Sequence, residues 1–189
     1  TKPNYFIDMT YADATGKPVS LKSVVNNPAN RYVLLDFWAT WCSGCVEKIP
    51  QLKELYAKYH EKGLEIYSVA ENPDVDYWKT FIKEKGMTWV NVCDDHPGRD
   101  GKAWKDYTLP GIPTVLLIDG ETGAIIARDA DMDKILVLGQ TALELGLVNS
   151  LTVLALFLSY SMLNVCDLST DGCFTLGSAV GAIVAIAGY

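Results

Sequence analysis

Histidine is scarce in this chain, cysteine is sparse, and basic residues nowhere gather into a run. Its 189 residues hold two histidines, five cysteines and 16 Lys+Arg against 23 Asp+Glu, a formal net charge of −7. Nucleic-acid binding needs a clustered positive surface, so the chain is not read as binding DNA or RNA. Five scattered cysteines are too few for a disulfide-built scaffold. No internal repeat and no low-complexity segment occurs, which removes the repeat architectures. No positively charged segment leading into an apolar one opens the chain, so no signal peptide is visible. The length suits one good core with an appendage.

Against that background two thiols stand close together. Cys42 and Cys45 flank Ser43-Gly44 in the run Asp36-Phe37-Trp38-Ala39-Thr40-Trp41-Cys42-Ser43-Gly44-Cys45. The preceding Tyr32–Trp38 is apolar and β-prone, and lacks the alternation of a half-exposed strand. After the cysteines, Val46, Ile49, Leu52, Leu55, Tyr56 and Tyr59 recur with helical spacing. Cys42 is therefore expected at or just before a helix N-terminus, where unpaired N–H groups and the helix dipole favour a thiolate. Thiolates are the attacking species in disulfide exchange, so the spacing points to redox chemistry. Two blander readings stand beside it: half of a zinc site, and an inert structural disulfide. Zinc wants four ligands, and Cys93, Cys166, Cys173, His60 and His96 supply no second pair at ligand spacing.

Residues 1–145 read as alternating strands and helices, a sheet with parallel pairs covered on both faces. Phe6–Met9 and Val19–Leu21 are expected to flank a hairpin turn over Asp13–Pro18. Tyr32–Trp38, Leu64–Ala70, Trp89–Val92 and Thr114–Asp119 are the following strands. A turn at Gly120–Gly123 leads into Ala124–Arg128, giving a second hairpin. Helices are expected over residues 43–61, ending near Gly63, and over Asp74–Lys85, with Val75, Trp78 and Ile82 inward and Gly86 as the stop. A short helix falls at 99–106, and a last one begins near Asp131–Asp133. Cys93 is read as a small buried hydrophobe, and His60 and His96 as exposed.

Composition changes after Glu144. Leu145–Cys166 is 22 residues without a charge, Asp167–Asp171 is a polar break, and Gly172–Gly188 is 17 more uncharged residues. The expectation for 146–189 is a pair of apolar helices. Three readings stay open: a membrane hairpin, a pair packed on the domain or a partner, or non-native sequence.

These residues resemble the thioredoxin-like superfamily, most closely the TlpA/ResA-type thiol-disulfide oxidoreductases of bacterial envelopes, with an AhpC/TSA-Redoxin-like domain. Four pieces carry the likeness over roughly residues 5–130: Val33–Cys45, Pro50 five residues beyond Cys45, Gly111-Ile112-Pro113-Thr114 ahead of Val115–Asp119, and the extension Asp13–Leu21. Two departures stand out. Ser43-Gly44 replaces the usual Gly-Pro-like dipeptide, and Lys48 occupies a place often held by an acid, with Glu47 just before it.

The resemblance implies a thioredoxin fold: a central mixed sheet flanked by helices, with an N-terminal β-hairpin extension. It implies a redox-active disulfide with no cofactor and no metal, protein thiol or disulfide substrates, an upstream electron donor, and a place on the periplasmic side of the cell envelope. Cys42 would attack, and Cys45 would resolve the mixed disulfide. Asp36, an acid in an apolar strand, would take the Cys45 proton if burial raises its pKa; a solvated strand-end carboxylate is the alternative. Pro113 would be cis and Pro110 trans; since cis is rare among X-Pro bonds, an ordinary trans turn proline is the alternative and the cis expectation rests on the resemblance. Ile112 would offer its backbone to an extended substrate. Trp41 would form apolar surface beside Cys42, with Trp38 packed below. A thioredoxin fold used as a binding module without turnover is the alternative function. A peroxidase is disfavoured, since no Pro-x-x-x-Thr-x-x-Cys run occurs.

Overall fold

A computed structural model describes residues 2–128 apart from 95, 97 and 100. The expected final helix near 131–133, the apolar pair over 146–189, and Cys166 and Cys173 lie outside the described residues. Among the described residues the order is β1 (Thr10–Asp13), β2 (Pro18–Ser20), α1 (Leu21–Val25), β3 (Tyr32–Trp38), α2 (Ser43–Tyr59), β4 (Leu64–Glu71), α3 (Val75–Lys85), β5 (Val90–Asp94), α4 (Lys102–Tyr107), β6 (Thr114–Asp119) and β7 (Ile125–Arg128). The strands form one seven-stranded sheet in the order β2-β1-β5-β4-β3-β6-β7. Pairs β3–β4 and β4–β5 are parallel; the others are antiparallel. This is the mixed sheet of a thioredoxin-like fold, with the hairpin extension β1–β2 at one edge.

Strand alternation sorts the core into two layers. Leu34 and Trp38 of β3, Ile66 and Ala70 of β4, and Leu117 of β6 pack under α2 and α3. Val33, Leu35, Phe37, Tyr67, Val69 and Leu116 point the other way, against α1 and α4. Both faces are covered, so the central strands are apolar throughout. Among the polar residues buried within β3 and β4, Asp36 and Ser68 are cross-strand partners in the parallel register, and Glu71 lies at the end of β4.

Helix ends follow local chemistry. Asp74 caps α3 by accepting from the Tyr77 N–H at 2.9 Å, and Gly86 closes it at φ 63°. Beyond α2, a 3-10 turn over His60–Lys62 stops at Gly63, φ 97°. Pro50 lies within α2. The first hairpin differs from expectation. Its first strand is Thr10–Asp13, while Phe6–Met9 lies outside any strand and its apolar side chains join the second core layer. The Tyr107 hydroxyl accepts from the Ile7 N–H at 2.9 Å and donates to the Ile7 carbonyl at 2.7 Å, satisfying both groups without a strand partner.

Candidate functional site

The site is built where β3 runs out into α2. Cys42 is the N-cap of α2, and its sulphur accepts from the Cys45 backbone N–H at 3.2 Å. Cys42 and Cys45 are joined as a disulfide, with Cα atoms 5.2 Å apart. Cys42 is half-buried, whereas Cys45 is 3 % exposed and belongs to the core under α2. The exposed sulphur is thus the one at the helix start, where backbone N–H groups and the dipole favour negative charge. No cluster of three His, Cys, Asp or Glu side chains able to hold a metal ion occurs among the described residues.

The loop before β6 faces this pair. The Ile112–Pro113 peptide is cis, alone among the described residues, so the Leu109–Pro110 bond is trans. The Ile112 carbonyl oxygen lies 3.8 Å from Cys42 Sγ. A Cβ on Gly44 would sit 4.0 Å from the Pro113 ring, so the second residue between the cysteines abuts that proline. The Thr114 hydroxyl donates to the Gly111 carbonyl at 2.7 Å, bracing the loop. Half-buried Ile112 joins both core layers while keeping its carbonyl at the sulphur.

Trp41, just ahead of Cys42, is 65 % exposed, yet its indole N–H donates to the Glu71 carbonyl at 3.2 Å. Its neighbour Thr40 is held twice by Asn72. The Thr40 backbone N–H donates to Asn72 Oδ1 at 3.0 Å, and Asn72 Nδ2 donates to the Thr40 hydroxyl at 2.7 Å. The end of β4 therefore fixes the loop that delivers Cys42. Trp38 is buried and packs on Phe81 of α3, at 5.8 Å between ring centroids.

Asp36 is 3 % exposed, on the β3 face that also carries Leu34 and Trp38 beneath α2. It is not a solvated strand-end carboxylate. Burial pushes its pKa up to about 6, while the Ser68 hydrogen bond and the Lys48 ammonium pull the other way. Ser68 Oγ donates to Asp36 Oδ2 at 3.0 Å, and Trp89 Nε1 donates to Ser68 Oγ at 2.9 Å. Cys93 is buried, with its sulphur 3.4 Å from the Asn72 carbonyl, and His60 and His96 are exposed.

Ser68, Trp89 and Asn72 were not singled out from sequence. Ser68 carried a signal, since a hydroxyl inside Leu64–Ala70 breaks an apolar strand just as Asp36 breaks its own. Asn72 and Trp89 carried none, because their partners lie across the sheet.

A mixed sheet with a dithiol/disulfide pair at the start of its long helix, faced by a cis-proline loop, defines a thioredoxin-like protein. The family model described as AhpC/TSA family matches residues 4–127, and the chain belongs to that family. Among known proteins it is similar to the thiol-disulfide oxidoreductase ResA of Bacillus thuringiensis subsp. konkukian, 34 % identical over 118 residues, covering 62 % of this chain and 61 % of that protein. A ResA of Bacillus cereus is 32 % identical over 126 residues, covering 67 % and 65 %. The chain thus spans about three fifths of the length of the curated relatives it matches. A solved thioredoxin domain of a thiol-disulfide oxidoreductase from Bacteroides vulgatus superposes with a TM-score of 0.66 at 27 % identity, covering 76 % of this chain and 98 % of that one. A structure described as a putative thiol:disulfide interchange protein DsbE from Chlorobium tepidum gives 0.64 at 25 % identity, covering 76 % and 98 %.

Proposed function

We propose that this protein is a thiol-disulfide oxidoreductase that exchanges its Cys42–Cys45 pair with protein substrates, working as a reductase in the cell envelope. The observation that carries this reading is the half-buried Cys42 sulphur, capped by the Cys45 N–H and faced by the Ile112 carbonyl. In the dithiol form the Cys42 thiolate attacks one sulphur of a substrate disulfide. A Cys42–substrate disulfide forms, and the first substrate sulphur leaves as a thiolate. Cys45 passes its proton to Asp36 and attacks Cys42 Sγ. The second substrate sulphur then leaves, so two electrons have moved from the cysteine pair to the substrate. A dithiol donor protein reopens Cys42–Cys45. The redox group is the disulfide itself.

Trp41 and the Ile112–Pro113 loop are assigned to substrate binding. Trp41 presents apolar surface next to Cys42, and the Ile112 backbone is placed for an extended chain to add as a strand. The envelope assignment rests on the family likeness, with the uncharged segments within 145–188 as the place for a membrane anchor; among the described residues no helix is long and apolar enough to cross one.

Trapping tests the division of labour. In Cys45→Ser the resolving thiol is gone, so incubation with a disulfide-containing protein should accumulate a mixed disulfide through Cys42, seen by mass spectrometry. Cys42→Ser should trap little. Equal trapping by the two variants overturns the assignment, and absence of trapping by both overturns the oxidoreductase reading.

A further inference from the structure

The buried polar row behind Asp36 has a forced direction. An indole N–H can only donate, so Trp89 must give its hydrogen to Ser68 Oγ, 2.9 Å away. That contact uses one lone pair of the serine, and an ionised Asp36 can only accept, so the serine's own hydrogen goes to Oδ2 at 3.0 Å. All three side chains are at least nine-tenths buried, at 5 %, 0 % and 3 % exposure for Trp89, Ser68 and Asp36. Bulk water therefore does not compete for these bonds.

We propose that Ser68, oriented by Trp89, is a positioning residue for proton transfer at Cys45: it holds Asp36 Oδ2 as an acceptor and leaves Oδ1 to take the proton. This rests on the oxidoreductase reading above. In the step concerned, the Cys45 S–H bond breaks, its proton moves to Asp36 Oδ1, and the electron pair stays on sulphur to form the new bond to Cys42. Ser68 itself exchanges no proton, because its hydrogen stays donated to Oδ2 throughout. A hydroxyl that donates to a carboxylate favours the charged, proton-accepting form, and so opposes the burial that would otherwise keep Asp36 neutral.

The groups facing Asp36 are few. On α2 it is Lys48, which also favours the charged form; Cys45 lies in the core layer on the same face of β3, beneath α2. On β4 the facing group is Ser68, and ahead of β5 it is Trp89; β6 contributes apolar Val115 as cross-strand partner. Lys48 is half-buried, on a long flexible side chain. The hydroxyl is the fixed element of the set.

The experiment follows the carboxyl directly, by carbon-detected NMR titration of Asp36 in the full-length reduced protein. Ser68→Ala should raise its midpoint by about 1 pH unit, as expected for loss of a hydrogen bond to a charged group. The pH at which mixed-disulfide resolution becomes fast should rise by the same amount. Ser68→Thr, which keeps the hydroxyl, should restore both. If Ser68→Ala does not fold, the wild-type protein still decides. The Trp89 indole N–H signal, assigned with Trp89→Phe, should titrate with the Asp36 midpoint, while that of exposed Trp41 should not. An unmoved midpoint in Ser68→Ala, or a Trp89 signal flat from pH 5 to 9, the range about which such a carboxyl titrates, overturns the proposal. Because the two NMR titrations need no substrate, they stand apart from the trapping experiment. If trapping fails while the titrations behave as stated, the oxidoreductase reading falls, and with it the role of Ser68 in resolution.

Discussion

At the scale of single residues, Asp36 opposes stability in its charged state. Its native pKa is about 6, against an ordinary 3.8. Between those values the folded protein keeps a proton that the unfolded chain has lost. Stability therefore falls as pH rises from about 4 to about 6 and is level above that. Moving a carboxyl that far is worth about 3 kcal/mol, and with 3 % exposure little of it is screened by solvent. Asp36→Asn keeps the shape and removes the charge. It should be more stable than wild type at pH 7.5, by up to about 3 kcal/mol, and equal to it near pH 4. Urea unfolding at both pH values checks this. Glu71, also buried, has a pKa raised by burial and by Asp94, so the wild-type slope includes it and the difference between the two proteins is the quantity to read. On the proposed mechanism, in which Asp36 takes the Cys45 proton, the same variant should resolve mixed disulfides slowly while Cys42 attack is unchanged. A carboxylate retained at such a cost is understandable where its proton is used.

At the scale of elements, one register organises the site. Strands β3 and β4 pair in parallel with an offset that sets Asp36 beside Ser68 and Trp38 beside Ala70. Carried two residues beyond the strand, the same offset puts Thr40 against Asn72, where side chain replaces ladder. Asn72→Ala leaves the Thr40 N–H without its acceptor and loosens the loop ahead of Cys42. A loss of about 1–2 kcal/mol in stability is expected. Cys42 attack should slow about 10-fold, because the sulphur is no longer held at its angle to the Ile112 carbonyl. Single-turnover mixed-disulfide formation measures the second effect, and an unchanged rate would remove the clamp from the mechanism. The register also shows what a sequence can disclose. Tyr32–Trp38, Leu64–Ala70 and the Asp74–Gly86 helix announce themselves, because burial writes an apolar run and caps write Asp and Gly. Cys42, Cys45, Asp36, Ile112 and Pro113 are legible through spacing and family likeness. Asn72 and Trp89 are not, because they act through bonds to groups 32 and 21 residues away that only the pairing brings together, while Ser68 shows only as a hydroxyl breaking an apolar strand. Helix α1 is five residues, too short for a period to show, and rests on Ser20 accepting from the Ser23 N–H. Phe6–Met9 looks like a strand because it is apolar, but its backbone groups go to scattered partners: Phe6 N–H to Gly123, both Ile7 groups to Tyr107, and the Met9 carbonyl to Leu21 N–H.

At the scale of the whole molecule, the described residues carry both apolar layers that flank the sheet. The two apolar clusters draw on residues from Phe6 to Ala127, and every group assigned to chemistry lies at or before Pro113. The family match likewise ends at residue 127. A chain cut after Glu144 should therefore fold, stay in solution without detergent, and reduce a protein disulfide at the rate of the full chain. The tail should change where the protein resides rather than what it does. Leu145–Cys166 is long enough, at 22 uncharged residues, to cross a bilayer as a helix. A single segment in lipid satisfies its backbone only that way. The full chain should accordingly sediment with membranes, or need detergent to remain monodisperse in gel filtration, while the shortened chain does neither. If the shortened chain fails to fold by circular dichroism, residues beyond 144 belong to the domain core. If the full chain runs as a soluble monomer without detergent, the membrane reading is wrong, and the apolar segments must bury their surface against the domain itself.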